Sequence, residues 1–134
     1  MEILNNFTID GQNLSAEYVE TQQVNEGVEC DIYSFPDDRT KDLAIVRVSA
    51  GYKTPLQRVQ KGVKTSEGFL SGRGVLIVTS KDGVENEYYY PNSDGVNEVV
   101  VAQGETMQWS ASDNLTFYEV CDPPYEDGRF ENII

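Results

Sequence analysis

The sequence predicts an all-β, single-domain fold, a jelly-roll β-barrel. Three observations carry this. No stretch shows an apolar repeat of helical period. At least nine short runs rich in Val, Ile, Thr, Tyr and Phe alternate with turn residues. The chain has 134 residues, which suits one domain over residues 1–134 and can bury a core without disulfides or a structural metal.

The expected strands are Ile3–Ile9, Glu29–Phe35, Leu43–Ser49, Gly68–Leu70, Val75–Thr79, Glu85–Tyr90, Glu98–Ala102, Thr106–Ser110 and Leu115–Cys121. Their separators have a mechanism. Lys81-Asp82-Gly83 closes a hairpin, because Asp-Gly supplies the positive φ of a tight turn. Pro36-Asp37-Asp38, Asn92-Ser93-Asp94-Gly95 and Ser112-Asp113-Asn114 are turn formers of the same kind. In Met107–Ala111 the apolar residues take alternate positions, so one face of that strand is buried. Val99-Val100-Val101-Ala102 is apolar on both faces and reads as covered on both, by two sheets or by a neighbouring subunit. In Tyr88-Tyr89-Tyr90 the middle ring opposes the other two, as on a partly covered surface. Residues 1–25 are more polar and read as either an arm for a second subunit or an edge strand of the same barrel.

Ten basic residues face 23 acidic ones, a formal net charge of −13. Such a field repels phosphate backbones and anionic lipid, so neither nucleic acid nor membrane is an expected partner. Lys53, Arg58, Lys61 and Lys64 read as a solvated loop that offsets part of the acidity. The apolar runs are too short to span a bilayer. The two cysteines, Cys30 and Cys121, lie far apart and form no CxxC motif. With no charged-then-apolar leader, they read as free thiols of a cytoplasmic protein.

A family resemblance appears in residues 44–133. Gly51 is followed by five residues and Gln57-Arg58-Val59, then by Glu67, and six residues later by Gly74. Further on, Ala102-Gln103-Gly104 precedes Met107 by two residues, and Phe117 to Pro124 ends in a Pro-Pro exit. In order and spacing this resembles the two motifs of the cupin superfamily, and implies a cupin-like jelly roll that closes as a homodimer. The departure is as informative. The family's metal histidines fall at Gln57, Val59 and Met107, and the chain contains no histidine. Glu67 alone remains of the usual metal shell. Gln, Val and Met do not replace imidazole for transition metals, so no metal and no cofactor are expected.

The resemblance points Glu67 into the barrel. A carboxylate in partly apolar surroundings has a raised pKa and suits a general base. Tyr118 is the candidate acid beside it, although Tyr118 and its neighbour Glu119 must face opposite sides. Gln57, Met107 and Trp109 would line the cavity, with Glu119 if it is the one that turns inward. Arg47 and Arg58 are candidates for holding an anionic group on a ligand.

Three functions stay open. The leading one is metal-independent binding of a small polar metabolite, a sugar or an organic acid, in the barrel. The second is a metal-independent isomerase, epimerase or lyase using Glu67 and a tyrosine. The third is a structural or assembly protein with a filled barrel. Whether the barrel is hollow separates them.

Overall fold

Among the residues described by the computed structural model (4–9, 12–60, 64–92, 95, 97–124 and 130–133), twelve strands form two antiparallel sheets. The strands are β1 (Leu4–Ile9), β2 (Gln12–Asn25), β3 (Val28–Ser34), β4 (Asp42–Val48), β5 (Gln57–Val59) and β6 (Lys64–Ser71). They continue with β7 (Gly74–Thr79), β8 (Glu85–Tyr90), β9 (Glu98–Ala102), β10 (Thr106–Ala111), β11 (Leu115–Asp122) and β12 (Phe130–Asn132). One sheet has the order β1-β2-β3-β4-β11-β6-β9 and the other β12-β5-β10-β7-β8. β11 sits between β4 and β6, far from both in sequence, which is the long-range crossover of a jelly roll.

The turn residues act as the sequence implies. Gly83 has φ +84° in the β7–β8 hairpin, and Gly95 has φ +76° after Asn92. Ser93 and Asp94 of that turn lie outside the described residues, as do Ile3 and Lys61. Gly72 at φ +95° lies so near Asn114 that a Cβ would stand 1.9 Å from its carbonyl oxygen. Only glycine fits this β6–β7 corner.

Period-two alternation sorts the side chains. On β10, Met107, Trp109 and Ala111 are buried, and on β7 Leu76 and Val78 are buried. These face Val28, Cys30, Val46, Val48, Val99, Val101 and Phe117 of the larger sheet, forming the main core. Val100 is 51% exposed, so within the chain β9 is covered on one face, and of the two covers its sequence allows no second sheet supplies the other. Tyr90 turns inward and Tyr89 outward, as alternation requires.

The N-terminal segment belongs to the larger sheet. β2 pairs with β3 through two register shifts, which bend it. The β1–β2 hairpin then covers the outer face of β3 and β4, where Phe7 meets Tyr33 edge-on at 4.9 Å and Tyr18 meets it at 5.8 Å. Ala16, Phe35, Leu43, Ile45 and Tyr118 complete this second core.

Candidate functional site

The four positions that the resemblance assigns to a metal shell lie on facing inner surfaces. Gln57 and Val59 alternate inward on β5, and Met107 pairs with Gln57 across β10. Glu67 stands on β6 of the other sheet and is fully buried. It bridges the sheets: the Trp109 indole Nε1–H donates to Glu67 Oε1 at 2.8 Å. Trp109 stacks on Phe117 at 4.3 Å and on Tyr90 at 5.7 Å, and Tyr90 stacks on Phe69 at 5.1 Å. This end of the barrel is packed with rings. Trp109 and Met107 are therefore core residues, 1% and 3% exposed, and not the ligand-contacting walls expected of them.

The donor set does not fit a transition metal. Of the four positions only Glu67 carries an anionic oxygen donor, and that carboxylate accepts from an indole. The other three present an amide, a branched hydrocarbon and a thioether, whereas Fe, Mn or Zn need imidazole or several carboxylates together. Among the described residues no cluster of three His, Cys, Asp or Glu side chains is placed to hold a metal ion.

The other end of the barrel is hollow. A cavity of about 290 Å³ opens between the sheets, at the small end of the range for ligand sites. Its apolar wall comes from Ile32, Ala44, Val46, Phe117 and Phe130. Its polar groups include Thr54 and Gln57 from the smaller sheet's side and Asp42, Glu119, Gln22 and Gln23 from the larger sheet, together with the Cys30 and Cys121 thiols. Glu119 pairs with Ala44 and with Glu67 across β11, so it shares their inward face. The Cys121 thiol approaches Glu119 Oε1 at 3.8 Å. The Cys30 thiol is pushed up to about 11, chiefly by burial and next by the charge of Glu119. Among the described residues neither thiol is joined in a disulfide.

Tyr118 points the other way. It lies in the outer core, 2% exposed, and its hydroxyl donates to Glu98. Gly68 makes this possible. Tyr118, Gly68 and Glu98 stand in one row across β11, β6 and β9. A Cβ on Gly68 would fall 2.0 Å from the Tyr118 ring, which crosses that vacant position to reach Glu98. Tyr118 and Glu67 are thus on opposite faces of one sheet and cannot share a substrate.

Both arginines also face outward. Arg47 bonds Asp31 at 2.5 Å and Glu29 at 2.7 Å on the outside of β3–β4. That pairing holds the Asp31 carboxyl below its usual range and the guanidinium above its own. Arg58 pairs with Glu131 at 2.9 Å on β12. Neither is among the described residues that line the cavity. Sequence reasoning missed Thr54, the two thiols and Phe130 as cavity residues. Alternation within β3 and β11 carried the signal for the thiols, and nothing local carried it for Phe130. A second hollow, a surface groove of about 500 Å³ bounded by Leu14, Phe35, Asp38, Lys64, Glu98 and Asp122, lies on the outer side of the larger sheet.

No protein-family model matches the chain, and no curated protein does. Solved structures do. The oxalate decarboxylase of Lactobacillus farciminis, in a formate complex, matches with a TM-score of 0.69 at 17% identity, over 85% of this chain and 33% of that one. The Bacillus subtilis oxalate decarboxylase at pH 4.6 matches with a TM-score of 0.67 at 18% identity, over 84% and 29%. These are cupin-fold enzymes. This chain has the cupin fold. It spans about a third of the length of the structures it matches. Another structure of the Bacillus enzyme, solved in a study of its Mn(II) centres, matches with a TM-score of 0.67 at 19% identity, over 81% and 29%. Among the described residues no helix is long and apolar enough to cross a membrane.

Proposed function

We propose that this cupin-fold domain binds a small, neutral, hydroxyl-rich ligand of sugar or polyol class, without a metal, in the cavity between Gln57 and Glu119. The observation that carries the reading is the placement of those two side chains on opposite sheets around one 290 Å³ space. A carboxylate offers about four lone-pair sites and an amide both donates and accepts. Together they suit hydroxyl groups, while Phe117, Phe130 and Ile32 suit the C–H faces of a sugar ring. An organic acid fits less well. Asp42 and Glu119 are the ionisable carboxylates of the wall, no Lys or Arg lines it among the described residues, and the chain's charge is −13. The matched decarboxylases are named for a dicarboxylate, which this field would repel.

A filled-barrel, structural role draws support from the Glu67–Trp109 end alone. Calorimetric titration with a panel of neutral monosaccharides and polyols separates the two. Binding by the wild type that is lost in Glu119→Ala, with folding intact, supports the reading. No heat with any member, or heat unchanged by Glu119→Ala, overturns it.

A further inference from the structure

The cavity has walls of very different strength. β3, β4 and β11 are each paired on both sides along their length. The wall that carries Phe130 is β12, which among the described residues is an edge strand paired with β5, at three positions. β5 in turn meets β10 at two. Besides the packing of Phe130 against the main core, three polar contacts of β12 lie at or near the surface. Arg58 and Glu131 form an ion pair whose side chains are 44% and 43% exposed. The Gln57 amide donates to Asn132 Oδ1 at 3.2 Å, and the Ile133 N–H donates to the Leu56 carbonyl at 2.7 Å. Gln22, Gln23 and Val24, at the exposed end of β2, line the same cavity.

We propose that β12 is the gate of the cavity, with Phe130 as its plug and the Arg58–Glu131 and Gln57–Asn132 contacts as its latch. The proposal rests on the cavity being the binding site and names how that site is opened. A short edge strand held by exposed bonds opens at a small fraction of the global unfolding free energy. The continuous sheet on the other side opens only when the domain unfolds. Gln57 belongs both to the latch and to the cavity wall, so occupancy of the cavity and docking of β12 are coupled through one side chain.

Cys30 and Cys121 line the cavity and are 6% and 3% exposed, which makes them reporters of its opening. The full chain is treated with N-ethylmaleimide at fixed pH, and modification of each thiol is followed by mass spectrometry against urea concentration. Through a gate, the rate depends weakly on low urea. Glu131→Gln then raises it about two- to fivefold, as loss of an exposed pair allows, and the raised rate keeps its weak dependence on urea. Phe130→Ala raises it by about tenfold or more. The gate is overturned if every rate carries the full urea dependence of global unfolding and follows each variant's stability. The reagent is not a sugar, so a failed sugar titration counts against the proposed ligand and leaves this test standing.

Discussion

Glu119 lies directly across the β11–β6 ladder from Glu67, on the same face of the sheet, yet the two carboxylates meet different surroundings. Glu67 is fully buried beneath the Trp109 indole, and Glu119 stands in the cavity wall. The border between the solid and the hollow halves of the barrel runs between these two residues.

The solid half depends on the indole. Trp109→Phe removes the donor to Glu67 and leaves space beside Phe117 and Tyr90. The expected loss is about 2–4 kcal/mol, from a buried acceptor that loses its donor plus ring volume. Urea unfolding checks it. Glu67→Gln retains an acceptor for the indole and leaves cavity binding within about twofold, since Glu67 does not line the cavity.

Alkaline pH tests the environment of Cys30. Its thiol is at about 11 in the folded chain against an ordinary value of 9.0. Between those values the unfolded chain has released the proton and the folded chain has kept it. Stability from this group is therefore complete below about pH 9 and is lost as pH rises toward about 11, an effect on the order of 2 kcal/mol. The wild type should lose more stability across this window than Cys30→Val, compared by unfolding at each pH.

The outer face gives a contrast. Gly68→Ala drives a Cβ into the Tyr118 ring and should cost about 1–3 kcal/mol. Tyr118→Phe removes only the hydroxyl that donates to Glu98 and should leave cavity binding unchanged. A loss of binding in Tyr118→Phe would contradict the assignment of this ring to the outer core.

Arg47 is expected to act on stability alone. Its pairs are partly exposed, so Arg47→Gln should cost about 1 kcal/mol or less near neutrality. The Asp31 carboxyl is held below its unfolded value. Its contribution is present above about pH 4 and is lost as acid drives the folded carboxyl to protonate. The difference between wild type and Arg47→Gln should accordingly shrink in acid unfolding curves.

Much of this architecture is legible from residue order. Alternation in Met107–Ala111 placed the correct face inward, alternation in Tyr88–Tyr90 set the middle ring against its neighbours, and Asp82-Gly83 placed a hairpin. β2 was not legible, because its fourteen residues are mostly polar and its bulges break the period of two. β5 and β12 are three-residue strands, too short to show any period. Their existence depends on pairing with distant chain, which no local pattern encodes. The same limit governs the site. The spacing of Gln57, Glu67 and Met107 brought them to the barrel interior, but only the sheet register shows that Glu119 faces in and Tyr118 out. The arginines were read as ligand-binding candidates, and their partners, Glu29 and Asp31 for one and Glu131 for the other, lie across strand pairs that the sequence did not reveal.

The central claim is that the hollow half binds and the solid half does not. Methyl-resolved NMR tests it most directly, during titration with the monosaccharide that gives the largest calorimetric response. Ile32, Ala44 and Val46 line the cavity, while Leu76 and Val78 lie in the filled core. Saturable shifts at the first three, with the last two nearly still and the response lost in Glu119→Ala, are the predicted result. Shifts confined to Leu76 and Val78, or none at Ile32, Ala44 and Val46 at saturating sugar, would contradict it.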